Sequence, residues 1–297
     1  MLTVFGSIAF DTIRTPTKII RNALGGAATY AAISASYFVK PGLIGVVGND
    51  FPKKYQNILD RFVDSRGMVN AKGKTFRYDG SYDLTLSQRT TNKTELNVLK
   101  DFKPVVPEEY RRSEFVYLAN NDPVQNTKIL QEFDSVKFSM CDTIEFWISS
   151  KRNDVIKMIG AVDSVVINDE EAKLLTKTHN LIKAAKKIME WGTKYVIIKK
   201  GEHGSLLFYD DIVFPSPAFS MENIVDPTGA GDSFAGGMIG YLSSKNSTKM
   251  STIREAAVYG NIMGSFAIEK YGVHGITGLE RISIKKRFDR YKKMVHF

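Results

Sequence analysis

The 297-residue sequence predicts an α/β fold of three layers, α/β/α, in which a mostly parallel central sheet carries a small β lid. Apolar, strand-like runs alternate with helical patterns along most of the chain, which is typical of a parallel sheet covered on both faces. Between residues 73 and 91 the spacing of apolar positions changes from helical to alternating, which indicates an antiparallel insert. We therefore expect one domain over residues 1–297, with lid segments at about 12–21 and 73–91.

The chain before the lid insert contains two short strands and two helices. Leu2–Phe5 and Gly42–Val47 are continuous apolar runs, as expected of buried strands. A helix is predicted from Gly25 to about Phe38, because an alanine stripe follows the glycine pair. Asp50 is expected to cap a second helix, Phe51–Arg66, whose apolar residues fall on one face. The segment 12–21 between the first strand and the first helix is extended and rich in turn residues.

The insert Gly73–Thr91 has no helical stripe and is predicted to form a lid. Phe76 and Tyr78 alternate, and Asp79-Gly80 is a hairpin turn signal. The insert has too little apolar content to form a core of its own. One of its faces is nevertheless expected to be apolar, so the sequence predicts a homodimer joined through the lids. Alternation after the predicted turn involves Tyr82, Leu84 and Leu86.

Strand–helix alternation resumes after residue 107 and continues to the C-terminus. Ligands bind such sheets beyond the carboxyl ends of the strands, and Asn168, Lys199 and Asp232 fall on that edge. The predicted strands are Phe115–Ala119, Val136–Cys141, Ser164–Ile167 and Tyr195–Ile198, followed by a hairpin of Ser205–Tyr209 with Ile212–Phe214. The predicted helices are Pro123–Phe133, Ile144–Gly160, Leu181–Trp191, one directly after Asp232, Thr252–Lys270 and a basic C-terminal helix within Arg281–Lys293.

The most informative motif is the turn that precedes the helix after residue 231. Its residues Gly229, Ala230 and Gly231 allow a ligand to approach the backbone closely, and the first N–H groups of the helix have no internal partner. Together with the helix dipole, these groups form an anion site. Asp232 beside that site would repel an anion, unless it takes a proton from a hydroxyl that attacks a bound phosphorus.

The segment Asp226–Asp232, D-P-T-G-A-G-D, resembles the signature of the ribokinase family, the PfkB-type carbohydrate kinases, and the resemblance extends over essentially the whole chain. It implies a ribokinase-like fold and ATP-dependent phosphorylation of a hydroxymethyl group on a sugar or sugar-like molecule, with Mg²⁺. It also implies that Gly229, Ala230 and Gly231 stabilise the transferred phosphoryl group and that Asp232 is the base. The family commonly has threonine at Pro227, a change that keeps the turn.

The resemblance places the acceptor near the N-terminus. Asp11 follows the first strand and matches the family's sugar-binding acid, and Gly25 and Gly26 match its N-terminal signature. Alternatively, Asp11 is an acid that accepts backbone hydrogen bonds in a turn, and Gly25 and Gly26 are needed for helix packing. The family often has asparagine where this chain has Tyr30, which argues mildly against free ribose and leaves room for a nucleoside. Two further residues that follow strands, Asn120 and Asp142, are expected to face the same pocket.

The nucleotide and metal are expected along the opposite part of the same edge. Asn168 and Glu171 match the family's element for Mg²⁺ and phosphates, and they would bind the metal mostly through water. Alternatively, Glu171 is an acid at a helix start, where the helix dipole favours negative charge. Lys199 is expected to meet phosphate. The resemblance further assigns Gly201, Gly204, Thr228 and Asn261 to the nucleotide and allows a monovalent cation such as K⁺ at Asp226.

Composition narrows the possible partners and location. The net charge is +9, and the basic segment Arg281–Lys293 has apolar residues at helical spacing, so we expect a solvated helix face rather than a nucleic-acid site. No apolar run is long enough for a bilayer, and the N-terminus does not resemble a signal peptide. The single cysteine, Cys141, agrees with a reducing compartment, so a cytoplasmic protein is expected.

Three alternatives to a sugar kinase remain open from the sequence. A nucleoside kinase is the second candidate within the family. A nucleotide-binding regulator without turnover is a candidate outside it, although such a protein has no use for the base Asp232. A polyanion-binding protein that uses the basic C-terminal helix is the third. The sequence does not identify the acceptor.

Overall fold

The computed structural model describes residues 1–296 and contains two sheets. Nine strands form the central sheet and four form the lid, so the predicted fold class is confirmed. The strands, in chain order, are β1 Leu2–Phe5, β2 Ala9–Arg14, β3 Ile19–Gly25, β4 Gly42–Gly48, β5 Asp64–Ala71, β6 Phe76–Tyr82, β7 Arg89–Glu95, β8 Phe115–Leu118, β9 Phe138–Asp142, β10 Ser164–Asn168, β11 Tyr195–Lys199, β12 Ser205–Tyr209 and β13 Ile212–Ser216.

Most helices agree with the sequence pattern, although several bounds differ and the short helix His274–Thr277 was not predicted. The predicted helix 144–160 is divided at Lys151 into two, and a short helix that begins at Asp169 was not delimited by the sequence. The helices are α1 Ala27–Ala35, α2 Lys53–Phe62, α3 Pro123–Leu130, α4 Glu145–Ser150, α5 Arg152–Gly160, α6 Asp169–Thr176, α7 Leu181–Met189, α8 Ala230–Lys245, α9 Met250–Ala267, α10 His274–Thr277 and α11 Arg281–Val295.

The central sheet has the strand order β13-β12-β11-β10-β9-β8-β1-β4-β5. Every pair from β11 to β5 is parallel, and only β12 and β13 at one end are antiparallel. One apolar cluster joins the sheet to α1, α8 and α9, and a second joins its other face to α5, α6 and α7. The carboxyl ends of the parallel strands therefore meet at one edge between two helical layers.

Close packing of α8 on α1 fixes the position of both helix starts. A Cβ added at Gly236 would lie 2.1 Å from the Ala31 carbonyl oxygen, and one at Gly240 would lie 2.7 Å from the Ala35 Cα. Only glycines permit this approach. The contact brings the N-terminus of α8, which begins after Gly229, beside the N-terminus of α1.

The predicted cap of α2 is wrong. The helix begins at Lys53 after Pro52, and no side chain caps it. The Asp50 carboxylate instead accepts hydrogen bonds from the Thr75 N–H at 2.7 Å and from the Thr75 hydroxyl at 2.6 Å. The helix also ends at Phe62, before the predicted Arg66, because β5 begins at Asp64 and pairs with β4.

The predicted hairpin turn of the lid is also misplaced. Strand β6 runs straight through Asp79-Gly80, and the chain reverses at residues 83–88. The Asp83 carboxylate organises this reversal, because it accepts the N–H groups of Ser87 at 2.9 Å and Gln88 at 3.0 Å. The lid has the order β3-β2-β6-β7 and so covers residues 9–25 and 76–95, more than the sequence predicted.

The basic C-terminal segment forms an amphipathic helix, as predicted. Ile284 and Tyr291 of α11 are buried, and the Phe288 ring stacks on Tyr259 with 4.5 Å between centroids. Lys285 pairs with Asp289 on the outer face at 2.8 Å. Among residues 1–296 no helix combines the length and apolarity needed to cross a bilayer.

Candidate active site

The carboxyl ends of β9, β10 and β11 bring charged residues to the N-terminus of α8. The Lys199 Nζ at the end of β11 lies 3.1 Å from Asp142 Oδ2 at the end of β9. A Cβ added at Gly231 would lie 2.9 Å from the same Nζ atom. The ammonium group therefore contacts the glycine turn directly, so it adds a full positive charge to the dipole of α8.

The turn before α8 leaves backbone donors available. Gly229 has φ +76°, and a Cβ there would lie 2.3 Å from the Tyr30 ring, so both conformation and space require glycine. No side chain caps α8. Within residues 1–296, the N–H groups of Gly231 and Asp232 have no backbone acceptor. The sequence assigned this role to Gly229, Ala230 and Gly231, but the Ala230 N–H donates to the Pro227 carbonyl at 3.2 Å, and Asp232 supplies a donor that the sequence did not name. The N–H groups of Gly231 and Asp232, together with Lys199, are suited to hold an anion.

Asp232, in the first turn of α8, is partly buried beside this anion site. Burial and the charge of Asp142 together raise the pKa of Asp232 to about 6, against the opposing charges of Lys199 and Arg89. A carboxylate with this pKa is largely ionised at neutral pH and still accepts a proton readily. These are the properties of a general base.

Asn168 and Glu171 form a capping box at the start of α6. The Asn168 side chain accepts the Glu171 N–H at 2.7 Å, and the Glu171 carboxylate accepts the Asn168 N–H at 2.8 Å. Asn168 and Glu171 therefore do have the structural role at a helix start that the sequence left open as the alternative. Glu171 is also buried, and burial and Asp142 raise its pKa to about 7. Its carboxylate consequently lies at the same charged edge as Lys199.

The residues at this edge fit a magnesium ion that arrives with phosphates. Among residues 1–296 no three acidic, histidine or cysteine side chains converge into a metal cage. The edge nevertheless holds three carboxyl groups around one ammonium group, Lys199. This excess of negative charge suits a cation that keeps its waters and most of its phosphate ligands. The three carboxyl groups are Asp142, Glu171 and Asp232.

Asp11 lies in β2 of the lid, and only 4% of it is exposed. A Cβ added at Gly25 would lie 1.9 Å from Asp11 Oδ2, so Gly25 lets the carboxylate lie flat against the backbone. Burial, with a contribution from the charges of Asp232 and Asp226, raises the pKa of Asp11 to about 7. Asp11 and Asp232 therefore share one electrostatic environment, although 221 residues separate them in the chain.

Gly26 has a packing role. It has φ +95°, and a Cβ there would lie 2.5 Å from the Ser7 carbonyl oxygen. The Ser7 hydroxyl in turn accepts the Ala27 N–H at 3.1 Å, at the start of α1. Sequence reasoning did not single out Ser7, because its partner is 20 residues away and no motif joins them.

Tyr30 and Asn120, which were also predicted to bind the acceptor, lie in two different environments. Tyr30 is 1% exposed and its ring packs behind Gly229, so it offers no free face for stacking and shapes the turn from below. This corrects the expectation that its ring could stack on a substrate. Asn120 follows β8, and its side-chain oxygen is buried without a hydrogen-bond partner within residues 1–296. That oxygen can accept a ligand hydroxyl.

The predicted nucleotide residues after β11 separate into two groups. Gly201 has φ +53° and open space around it, as a ligand approach requires. Gly204 packs against the chain after β13, where a Cβ would lie 2.2 Å from the Ser216 carbonyl oxygen. The Asn261 amide donates to the Ser216 hydroxyl at 2.7 Å and to its carbonyl at 3.1 Å, so it holds this hairpin.

Asp226 and Thr228 connect the glycine turn to its surroundings. The Asp226 carboxylate accepts the N–H groups of Thr228 and Gly272, each at 2.9 Å. The Thr228 hydroxyl lies 3.1 Å from the Tyr82 hydroxyl at the end of β6. Sequence reasoning missed this lid contact, and also Arg89, because the lid has no recognisable motif and the pair is 146 residues apart.

Comparisons with known proteins show the family to which the chain belongs. The model of the pfkB family carbohydrate kinases matches residues 1–277, and the chain belongs to that family. A cytidine kinase of Thermococcus kodakarensis is 32% identical over 253 residues, which are 80% of this chain and 87% of that protein.

Two solved structures share the fold over nearly the whole chain. A nucleoside kinase of Methanocaldococcus jannaschii has a TM-score of 0.77 at 20% identity and covers 97% of this chain and 98% of its own. A fructokinase of Vibrio cholerae, solved with fructose, ADP and potassium, has a TM-score of 0.78 at 19% identity and covers 96% and 97%. The protein is thus a carbohydrate or nucleoside kinase of ribokinase-like fold.

Proposed function

We propose that the protein transfers the γ-phosphoryl group of ATP to the hydroxymethyl group of a nucleoside or sugar, with Asp232 as the general base. The observation that carries this proposal is the position of Asp232 in the first turn of α8. There its carboxylate, with a pKa of about 6 because of burial and Asp142, adjoins two free N–H groups and Lys199. A hydroxyl and a phosphoryl group can therefore meet at one point.

In this reaction Asp232 accepts the hydroxyl proton while the acceptor oxygen bonds to the γ-phosphorus. The bond from that phosphorus to the β–γ bridging oxygen breaks, and ADP leaves with the electron pair. The N–H groups of Gly231 and Asp232 donate to the phosphoryl oxygens as negative charge develops on the nucleotide. Lys199 neutralises part of that charge, and Asp142 keeps the ammonium group in place at 3.1 Å.

Mg²⁺ would offset phosphate charge during transfer. Glu171 and Asn168 would hold it through water, because their mutual hydrogen bonds at 2.7 and 2.8 Å keep them fixed at the start of α6. The nucleotide would pass over Gly201, where the structure leaves open space. Asn261 and Gly204 would support the β12–β13 hairpin without contacting the ligand.

The acceptor proposed first is a nucleoside. The relative at 32% identity is a cytidine kinase, and one fold neighbour is a nucleoside kinase. A free sugar or polyol is the second candidate, favoured by the family description and by the fructokinase neighbour. Asp11 and Asn120 serve either acceptor, since both oxygens accept hydrogen bonds from hydroxyl groups.

The test is a screen of nucleosides, pentoses, hexoses and inositols with ATP and Mg²⁺, with ADP release as the readout. We expect one class to give turnover far above the ATPase background, and the Asp232→Asn variant to remove it. A product spectrum that shows phosphate on the hydroxymethyl group would identify the acceptor. If no alcohol is phosphorylated while ATP binds normally, the non-catalytic regulator becomes the better description.

We also propose K⁺ activation, which Asp226 would mediate. Both Asp226 oxygens already accept backbone N–H groups at 2.9 Å, so an ion there would stiffen the turn rather than build it. Turnover in KCl compared with tetramethylammonium chloride at equal ionic strength tests this. Equal rates in the two salts would argue against the ion.

We also propose a homodimer joined through the lids, for which the support is the exposed edges of the lid sheet and not an apolar face. The face predicted to be apolar is not, because Leu84 and Leu86 lie in the turn and β7 is polar. The remaining support is that β7 and β3 are unpaired edges of a four-stranded sheet, and Ile19 on β3 is 48% exposed. Light scattering of the chain and of an Ile19→Lys variant should give a dimer and a monomer; two monomers would refute it.

A further inference from the structure

The β2–β3 pair of the lid contains a bulge directly beside Asp11. Asp11 pairs with Ala23 across the ladder. Two residues further along β2, Ile13 pairs with Ile20, so one residue of β2 faces two residues of β3. One of these two is Asn22, whose φ of +52° lies in the left-handed region. Few residues other than glycine adopt this conformation, which persists where surrounding contacts hold it and is frequent in bulges next to active sites.

Arg77 of β6 holds the bulge in place. Its Nη1 donates to Asn22 Oδ1 at 2.6 Å, and its Nη2 donates to Asp50 Oδ2 at 2.9 Å. Asp50 is itself fixed just after β4, because its other oxygen accepts the N–H and the hydroxyl of Thr75 at 2.7 and 2.6 Å. The Asn22 carbonyl also accepts the Tyr55 hydroxyl of α2 at 2.7 Å. The bulge is therefore bound to α2, to β6 and, through Arg77, to the loop after β4.

The same guanidinium fixes β2 at the residue before Asp11. It lies 4.9 Å from the centroid of the Phe10 ring, and Arg77 and Phe10 are partners in the β2–β6 ladder. Phe10 is 5% exposed, and its ring stacks on Phe51 with 5.8 Å between centroids. Successive residues of a strand point to opposite faces of the sheet. A fixed Phe10 ring therefore keeps the Asp11 carboxylate on the other face.

Asp11 depends on this register because its carboxylate lies against a glycine. A Cβ added at Gly25 would lie 1.9 Å from Asp11 Oδ2. Gly25 follows Asn22 on β3, so the bulge decides which residue of that strand meets the carboxylate. A shift of β3 by one residue would bring a side chain to this face, and the carboxylate would have to move. By holding Asn22, Arg77 therefore fixes the orientation of Asp11.

We propose that Arg77 is a positioning residue for acceptor binding, which holds the Asn22 bulge and thereby directs Asp11 toward the acceptor. This inference rests on the proposed function, in which Asp11 accepts hydrogen bonds from acceptor hydroxyl groups. It adds to that function a residue that acts through the carboxylate and not by contact with substrate. Its removal should therefore weaken the acceptor and spare ATP, because Lys199 and the turn before α8 belong to other elements.

The kinetic test compares Arg77→Met with Arg14→Met. Arg14 is a matched control, because it also lies in the lid, pairs with Asp79 at 2.8 Å and is 34% exposed, against 32% for Arg77. Arg77→Met should raise the acceptor KM about tenfold, with kcat and the KM of ATP within about threefold. Arg14→Met should leave all three within about twofold. Equal changes of the acceptor KM in the two variants would overturn the inference, since any lost ion pair of the lid would then suffice.

A double variant shows whether Arg77 acts through Asp11. In an Asp11→Ala background, Arg77→Met should change the acceptor KM by less than about twofold, because the carboxylate that it directs is gone. A tenfold change that persists in this background would overturn the inference. Arg77→Lys should be intermediate, since one ammonium group cannot reproduce both hydrogen bonds of the guanidinium. This variant also keeps the test available if Arg77→Met folds poorly.

Hydrogen exchange tests the role of Arg77 without an acceptor. Arg77→Met should accelerate exchange of the backbone amides in residues 20–25 by about tenfold, whereas Arg14→Met should leave them unchanged. Unchanged exchange in Arg77→Met would overturn the inference even if turnover is found. If no acceptor is phosphorylated but exchange in residues 20–25 is accelerated, Arg77 does hold the bulge, and it is the proposed function that fails.

Discussion

The strands of the central sheet and those of the lid differ in burial and in polarity. Every residue of β9, and all but the last residue of β10, is buried, and these strands end at the site in Asp142 and Asn168. In β7 of the lid, residues 89–94 are all exposed, and the strand is polar throughout. Asp142 and Lys199 are thus carried by the buried central sheet, and Asp232 by the helix α8 packed on it, whereas the exposed β7 can move with little loss of apolar burial.

This difference matches the two tasks of a kinase. Phosphoryl transfer is the same for every acceptor and benefits from fixed charges. Acceptor binding and the exclusion of water require an element that opens and closes. Several contacts join the two regions, among them Tyr55 with Asn22 and Arg77 with Asp50. The contact Tyr82–Thr228 at 3.1 Å lies closest in sequence to Asp232. The following predictions test whether function divides in the same way.

The largest effect is expected for Asp232→Asn in the rigid region. Removing the base should lower kcat by about 10²–10⁴-fold and leave ATP affinity within about threefold. The matched control is Asp154→Asn, which alters another first-turn acid, in α5, far from the site. Steady-state kinetics and ATP titration provide the measurements. A kcat close to that of the control would show that Asp232 is an ordinary helix-start acid, and a collapse of ATP affinity would make its role structural.

Lys199→Met should produce the largest loss of stability. The Lys199–Asp142 pair is 16% and 6% exposed, and breaking a buried pair typically costs about 3–5 kcal/mol. The double variant Lys199→Met/Asp142→Asn should recover most of the unfolding free energy and none of the activity. Lys194→Met, whose pair with Asp163 is exposed, should cost less than about 1 kcal/mol. Chemical denaturation measures all three; a double variant no more stable than the single one would disprove the pairing argument.

The rigid region is also the region that the sequence predicts well. Its strands are continuous apolar runs, and the turn at 229–231 has a motif, so the sequence alone places Asn168, Lys199 and Asp232 at one edge of the sheet. The lid is predictable only in outline. Asp79-Gly80 is a strong local turn signal, yet Asp79 is bound by Arg14 at 2.8 Å and the strand continues. Long-range pairing overrides the local preference there, and single-sequence patterns do not report such pairs.

The pH dependence of activity should follow the base. Since Asp232 has a pKa of about 6 in the free protein because of burial and Asp142, and must be ionised to accept a proton, kcat/KM should rise with pH and level off above about 7. At pH 5 the rate should be about a tenth of the plateau. Asp154→Asn should leave the midpoint unchanged. A midpoint near 4, the ordinary value for aspartate, would show that the pocket does not perturb the base.

The same shift predicts a pH-dependent stability. The folded-state pKa of Asp232 is raised above its unfolded value of 3.8, so its contribution is most favourable below 3.8 and is lost as pH rises through about 6. Asp232→Asn should therefore stabilise the protein at pH 8, by about 1–3 kcal/mol after allowance for water in the cleft, and by less at pH 5. Thermal unfolding at the two pH values measures this. A variant equally stable at both would contradict it.

The smallest expected effect belongs to the contact that links the two regions. Tyr82→Phe removes one hydroxyl, and with it the hydrogen bond to Thr228. A neutral hydrogen bond contributes about 0.5–1.5 kcal/mol, so kcat should fall about two- to tenfold if this bond favours the closed lid. Tyr78→Phe is the matched control, because its hydroxyl bonds to Thr91 within the lid at 3.0 Å and should be dispensable.

The readout must distinguish lid closure from a change in the turn itself. If Tyr82 acts by closing the lid, Thr228→Val should reproduce the effect, and the double variant Tyr82→Phe/Thr228→Val should lose no more than either single variant. Unfolding free energies should fall by no more than about 1.5 kcal/mol, the contribution of one neutral hydrogen bond, because the contact lies outside both apolar clusters. Additive losses in the double variant would mean that each hydroxyl acts separately, and the lid would then need another tether to the rigid region.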